Sequence, residues 1–400
     1  MPATSPSRLP RDAQRLLELT MALARSGSRL EDSYWENLLG AQLNKLLLGK
    51  KTRSIEAALD FLLPNDLNAY EILVEQAETF SESTRIRHQN TEYDALLFSA
   101  PVIAWTRYQL PKGSLSEDQL QRLAQGLKEH VLAPNVKVSL LPLLINFEHM
   151  PQTFQETRIL TQQLAQQALG LSDQTPELRS PELDSDLILA DARFLSGVIT
   201  APAGEPLFRW QTQENQQFIS REACLESWQA WCNQVLGPMF TGCQVDYLIP
   251  DAYYVNNREA DKRIRPLSLK AAITWLQMAV NIPAAQLRAT IAGCGEQNIE
   301  EYRIGFSPKS ENTVIYGCIW PVLSKEEALA DTTETGQISP SDEIAAQLRE
   351  MGVVDIRRLP GVHPMEFCDD CGAPHFPNPI GELMHPELPD ETDTGPIQFH

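Results

Sequence analysis

The chain has 400 residues, of which 42% are hydrophobic, 22% charged and 7% aromatic; that is enough apolar material for two or three domain-sized cores and excludes a wholly disordered polypeptide. Its 33 Lys+Arg against 53 Asp+Glu leave a formal net charge of -20, which repels a phosphate backbone and disfavours nucleic acid as a partner. Met1-Pro2-Ala3-Thr4-Ser5-Pro6 opens the chain without the apolar core of a secretory signal, and the most apolar stretch, 136–147, contains Pro142 and falls far short of the roughly 20 residues that span a bilayer. A cytoplasmic protein with no membrane segment is expected.

After a flexible N-terminus over 1–9, residues 10–84 read as a helical segment. Leu16, Leu19 and Leu23, then Leu39, Leu43, Leu46 and Leu47, then Ala58, Leu59 and Leu62 recur at helical spacing. Turn formers at Ser26-Gly27-Ser28 and Gly49-Lys50-Lys51, and the ring of Pro64 before Asn65-Asp66, divide the segment into four short helices, with Asp66 as the N-cap of the last. From 85 onward β-rich runs alternate with helices. Residues 84–88 and 93–105 form a predicted hairpin about Gln89-Asn90, its second strand buried on both faces. Ser116-Glu117-Asp118-Gln119 has capping-box form and opens a helix striped by Leu120, Leu123 and Leu127 that ends near Val131. A buried strand over 136–147 and a helix over 157–169 follow.

That order recurs as a strand over 194–210, a helix from the Ser220 cap to Leu236, a strand over 243–254 and a helix over 264–280. Trp105 to Trp210 is 105 positions, and Val138 to Val245 and Arg158 to Arg265 are both 107. An internal duplication is the economical reading, with units over 85–183 and 184–300. A partial third unit over 301–362 would hold a hairpin of 302–306 and 313–322, a capped helix over 341–351 and a strand over 353–357. Strand-helix-strand order with three-turn helices predicts an α/β, mixed α+β fold in which duplicated β-α-β-α units form mixed sheets. Acidity concentrates at the end: residues 326–400 hold 16 Asp+Glu against three Arg, or -13 of the -20, and 387–400 are expected to be a disordered acidic tail.

Three constellations bear on chemistry. Of the seven cysteines, Cys224, Cys232, Cys243, Cys294 and Cys318 are scattered and fit buried, reduced thiols. Cys368-Asp369-Asp370-Cys371-Gly372 is different: two thiolates two residues apart, with glycine immediately after, form a knuckle that turns both sulfurs toward one tetrahedral cation. Within 363–386, His375, His385 or His363 would complete the site, or cysteines of another subunit. The pattern predicts a structural zinc; free or redox-active thiols and an acidic loop with reduced cysteines are the alternatives. Asp369 and Asp370 are expected to raise the thiol pKa, which argues against a thioredoxin-like nucleophile unless a metal compensates.

Residues 250–265 follow a predicted strand and precede a helix, where α/β proteins place ligands. There Arg258 would clamp an anion, with Asp251 or Glu259 as base; the plainer alternative is a helix start in which Glu259 pairs with Lys262 or Arg263. Ala292-Gly293-Cys294-Gly295-Glu296-Gln297 permits a tight turn whose exposed amides could hold an anion, with an ordinary turn as the plainer alternative and Glu296 as a further candidate for the site. It lacks the third glycine of a dinucleotide fingerprint and the lysine of a P-loop, and Cys294 has no histidine near it in sequence. Trp105, Tyr108, Trp210, Trp228 and Trp231 read as core rather than as stacking platforms.

At Ser28-Arg29-Leu30-Glu31-Asp32, Ala100-Pro101-Val102-Ile103-Ala104-Trp105-Thr106-Arg107-Tyr108, Pro250-Asp251-Ala252-Tyr253-Tyr254, Glu301-Tyr302-Arg303-Ile304-Gly305-Phe306 and Glu366-Phe367-Cys368-Asp369-Asp370-Cys371-Gly372-Ala373-Pro374, the chain resembles a bacterial family of full-length proteins classed as a domain of unknown function. The resemblance implies a cytoplasmic bacterial protein of this size and brings no catalytic residues with it. Two functions follow from the residues themselves. The first is a non-catalytic interaction or regulatory protein with a zinc knuckle and a protein partner or small polar ligand. The second is an enzyme acting on a small polar or anionic substrate, which requires Asp251, Arg258, Glu259 and Glu296 to converge at strand ends.

Overall fold

The computed structural model describes residues 9–49, 53–106, 110–111, 113–174, 176, 178, 190–214, 217–296, 298–323, 327 and 339–389. Residues 1–8, Tyr108, Gln297 and 390–400 of the expected acidic tail lie outside them; Glu387, expected to belong to that disordered tail, is instead held by a hydrogen bond from its amide to the Val314 carbonyl. The N-terminal segment is four helices, α1 (Arg11–Ala24), α2 (Arg29–Leu48), α3 (Arg53–Asn65) and α4 (Leu67–Glu82). The breaks have the expected causes. Ser28 accepts from the Glu31 amide to cap α2, Pro64 sits in the last turn of α3, and the Asp66 carboxylate accepts from the Ala69 amide at 3.0 Å to cap α4. Leu16, Leu39, Leu43, Leu62 and Leu73 share their core.

The hairpin β1 (Ser83–His88) and β2 (Thr91–Trp105) follows, turning at Gln89 and Asn90, both with positive φ. Strand β2 pairs antiparallel from Tyr93 to Trp105 with the whole length of β4 (Ala190–Pro202). These two strands are the spine of an antiparallel sheet with helices on both faces; the first sheet is therefore not the mixed sheet expected. On one face pack α5 (Glu117–Gly126), continued by a π-helical turn to Val131, and α7 (Arg221–Leu236). The Ser116 and Gln119 capping box opens α5, and Ser220 caps α7. On the other face pack α6 (Phe154–Ala168) and α8 (Tyr253–Ala279).

Each short strand sits beside the long strand of the other half. Strand β3 (Lys137–Leu140) pairs with β4, whereas β7 (Gln244–Tyr247) and β8 (Asp251–Ala252) pair with β2. The minor hairpin of β5 (Gln213–Glu214) and β6 (Gln217–Phe218) is separate. The strands from Ser83 to Ala252 therefore share one sheet, apart from the β5–β6 hairpin, whereas the strand Leu287–Cys294 of the expected second unit lies in another.

Two expected strands are shorter than their apolar runs. The stretch 136–147 forms a named strand only over β3, because Pro142 cannot donate to a ladder; beyond it isolated bridges join Leu143 to Ser114 and Ile145 to Phe194. The 194–210 run ends its strand at Pro202 and turns at Gly204. A third difference bears on function: the helix expected from 264 begins at Tyr253, so most of the expected 250–265 loop is helix.

The 27-residue α8 joins two cores. Tyr253 and Ala260 belong to the first sheet, whereas Leu269, Ile273 and Leu276 pack under a second. That second sheet has the order β11-β10-β9-β12, from β9 (Leu287–Cys294), β10 (Glu301–Pro308), β11 (Tyr316–Pro321) and β12 (Asp355–His363). Strand β12 runs parallel to β9 after α9 (Pro340–Glu350), capped by Ser339. Leu287, Ala289, Ile291, Tyr302, Ile304 and Phe306 face α8 and α9. A C-terminal strap with β13 (Phe376–Pro377) and β14 (Leu383–Met384) covers the opposite face. No described helix is long and apolar enough to cross a membrane.

Candidate functional site

The knuckle occupies a hairpin tip. Phe367 and Pro374 form an antiparallel bridge, the Cys368 amide donates to the Ala373 carbonyl at 2.8 Å, and the Gly372 amide donates back to the Cys368 carbonyl at 2.8 Å. Gly372 has a φ of 72°, a left-handed conformation that glycine takes without a Cβ penalty. Here the glycine after the second cysteine is required by the turn. The turn also aims the amides of Cys371 and Asp370 at the Cys368 sulfur, and these hydrogen bonds hold its thiol below the ordinary range. The charge of Asp370 pushes the other way and is outweighed. The expectation that neighbouring aspartates raise this thiol's pKa is therefore corrected: hydrogen bonds to the thiolate beat a solvated like charge.

His385 reaches the same point from the strap. Its Nε2 lies 3.2 Å from Cys371 Sγ, and the ligand atoms of Cys368, Cys371 and His385 all fall within 4.8 Å of one another. Cys371 is exposed, and the other two are half-buried. Two thiolates and an imidazole are donors that suit zinc, whose bonds of about 2.0–2.3 Å bridge such separations. His375 lies outside this group: its Nδ1 is 3.7 Å from the Glu366 carboxylate. His363 ends β12 in register with Cys294 on β9. The other five cysteines form no disulfide; burial raises the thiols of Cys232, Cys243, Cys294 and Cys318.

Two features of β10 and β11 seat this hairpin. Arg303, fully buried, donates from Nη1 to the carbonyls of Glu366 and His375 at 2.6 and 2.8 Å, which are the two residues flanking the knuckle. Its Nε donates to Glu301 at 2.6 Å, and its guanidinium lies over the Phe367 ring. Gly305 and Gly317 are cross-strand partners. A Cβ at Gly305 would land on the Pro377 carbonyl oxygen, and one at Gly317 on the Phe376 ring. The paired glycines thus form a notch in which the start of the strap lies flat on the sheet.

The 251–265 residues separate into different contacts. Asp251 pairs with Arg221, and Arg258 pairs with Glu78 of α4 at 2.6 Å. Glu259 pairs with Arg263 one turn on at 3.1 Å, the plainer alternative for that residue. Glu296 belongs to the turn between β9 and β10, where its amide donates to Glu300. The convergence that catalysis by all four would require is absent from these contacts. Asp251 and Arg258 instead flank Glu82, the last residue of α4, whose carboxylate accepts from the Tyr254 amide at 3.0 Å. Glu82 thereby caps α8, whose own N-cap residue is Ala252 and has no side chain to offer.

A family model described as protein of unknown function (DUF2863) matches residues 2–399. The chain belongs to that family. No curated protein and no solved structure matches it.

In this DUF2863 protein, burial lifts the Glu82 carboxyl from an ordinary 4.5 to about 7, opposed by the Tyr254 amide and Arg258 and assisted by Glu78 and Asp251. The folded chain keeps a proton that the unfolded chain gives up above about 4.5, so this group favours the native state at low pH. Its contribution declines as pH rises through about 7. Glu82→Gln keeps an acceptor for the Tyr254 amide and removes the titration. We expect wild type to lose up to about 3 kcal/mol relative to Glu82→Gln between pH 4.5 and pH 8. Urea melts at both pH values check this; parallel pH dependence in the two proteins overturns it.

Proposed function

We propose that this chain is a non-catalytic interaction or regulatory protein whose C-terminal knuckle is closed by one zinc ion. The observation that carries the reading is the convergence of Cys368, Cys371 and His385 within 4.8 Å. Zinc there would join residues 14 positions apart, Cys371 and His385, and so tie the knuckle to the strap over the second sheet. Closing a loop in this way stabilises the fold because the unligated strap has more conformational freedom. A cytoplasmic bacterial setting, in which the seven cysteines stay reduced, suits the reading, as does a protein partner or small polar ligand. Of the groups named for catalysis, Asp251, Arg258 and Glu259 are held in ion pairs with Arg221, Glu78 and Arg263, which favours the non-catalytic role.

We also infer that the two halves of the first sheet are copies. The offset of 107 positions carries Leu141 to Leu248. Their amides donate to the carbonyls of Ser196 on β4 and Pro101 on β2 at 2.9 and 3.0 Å. This reciprocal exchange supports a duplication.

Metal analysis of purified protein beside Cys368→Ser/Cys371→Ser, with thermal melts of both, tests the zinc reading. One zinc per chain that the double variant lacks, with a melting temperature lower by about 5 °C, is expected. Metal-free wild type whose melting a chelator leaves unchanged overturns it.

A further inference from the structure

Beyond His385 the strap continues as Glu387, Leu388 and Pro389, which form one wall of an open groove of about 880 Å³. The opposite walls are Ala279, the last residue of α8, with Val280 to Ile282 just after it, and the turn between β10 and β11, including Lys309 and Glu311. The groove lies on the edge of the second core, and its size is that of a small-molecule site. The strap wall differs from the others in how it is held.

The strap is anchored in two tiers. Its first part, Phe376 to Pro379, is buried in the notch of Gly305 and Gly317. Asn378, 2% exposed, fixes the turn that follows, its Oδ1 accepting from the amides of Ile380 and Glu382 at 3.1 and 2.9 Å. None of these contacts involves a metal ligand. Its second part has attachments of its own, among them Asn378 Nδ2 donating to Met384 Sδ at 3.7 Å. The short β14 pairs with β13 over two residues, and the Glu387 amide donates to the Val314 carbonyl at 2.9 Å. His385 sits between these two attachments, two residues before the groove wall.

We propose that metal bound by Cys368, Cys371 and His385 fastens the second part of the strap and so holds the groove's outer wall, while the first part stays docked without it. Metal occupancy then controls access to the groove and leaves the sheet beneath intact. This rests on the zinc reading of the knuckle and goes further, since a zinc that merely stabilised the whole fold would loosen sheet and strap together.

Hydrogen exchange on the full chain distinguishes the cases, comparing zinc-loaded protein, zinc-stripped protein and His385→Ala, with bound zinc counted in each sample. Stripping is expected to speed exchange roughly tenfold or more in peptides containing Glu387 and in the 309–315 turn. Peptides from β9 and β10 should be unchanged, and His385→Ala should behave like the stripped wild type. Zinc-loaded and stripped proteins that exchange alike along the strap overturn the proposal and leave the zinc reading standing. Faster exchange across β9 and β10 also overturns it, because the metal then supports the whole sheet. Absence of zinc from protein offered an equivalent of it defeats the zinc reading, and this inference with it. If His385→Ala does not fold, the loaded and stripped wild type alone decide.

Discussion

Arg303→Met is expected to destabilise the protein by about 3–5 kcal/mol, the usual result of removing one partner from a buried charged network. The side chain is fully buried and engages three acceptors: the Glu301 carboxylate and the carbonyls of Glu366 and His375. Methionine fills much of the volume but donates to none of them, so a carboxylate and two carbonyls lose their donor at once. The knuckle suffers directly, because Arg303 holds the two residues that begin and end it. The affinity for the zinc proposed here should therefore fall by about 10–100-fold, the range for groups that position metal ligands from behind. Denaturant melts and competition with a chelator check the two effects. Arg303→Lys should fall between wild type and Met, since an ammonium keeps the charge but loses the fork that spans both carbonyls. Wild-type stability and zinc affinity in Arg303→Met would show that the knuckle is seated by other contacts.

The difference between what sequence patterns predicted and what they missed follows the range of the interactions. Helices α1 to α4, the β1–β2 hairpin and the caps at Asp66, Ser116 and Ser220 depend on residues a few positions apart, and the spacing of leucines and turn formers carries them. The knuckle was legible for the same reason: two cysteines and a glycine within five positions define the turn. Which histidine completes it was not, because His385 reaches the knuckle only through the strap's path over Gly305 and Gly317. The start of α8 was missed on similar grounds. Ala252 gives no local capping signal, Pro250 and the tyrosines that follow read as strand, and the cap comes from Glu82, 172 positions away. Arg303 and Gly305 stood within a motif by which the chain resembles its family. Their roles as seat and notch became readable only once β10 was placed beneath the strap.

Arg158→Met is expected to cost a comparable amount, about 3–4 kcal/mol, for a reason tied to how the N-terminal helices attach. Arg158 projects from α6 with 6% exposure and donates to the carbonyls of Phe80 and Ser83 at the end of α4, and to Asn44 of α2 at 3.1 Å. Desolvation pulls its pKa down, yet an arginine remains charged far above neutral pH. A cation is well placed where the last carbonyls of a helix have no intrahelical donor and the helix dipole is negative. Arg265, 107 positions later, does the corresponding work on α8: it donates to the Pro321 carbonyl at the end of β11, pairs with Glu327 and lies over the Trp320 ring. Each half of the first sheet thus uses a buried arginine on its second helix to receive an added layer, the four-helix segment on one side and the second sheet on the other. Losing Arg158 should loosen the N-terminal helices first. Hydrogen exchange in α2 and α4 should accelerate before that of β2 and β4, and a fluorescence-monitored urea melt should shift to lower midpoint. Uniform acceleration along the whole chain would mean that the N-terminal helices and the sheet unfold as one cooperative unit, with Arg158 no more than one contact among many between them.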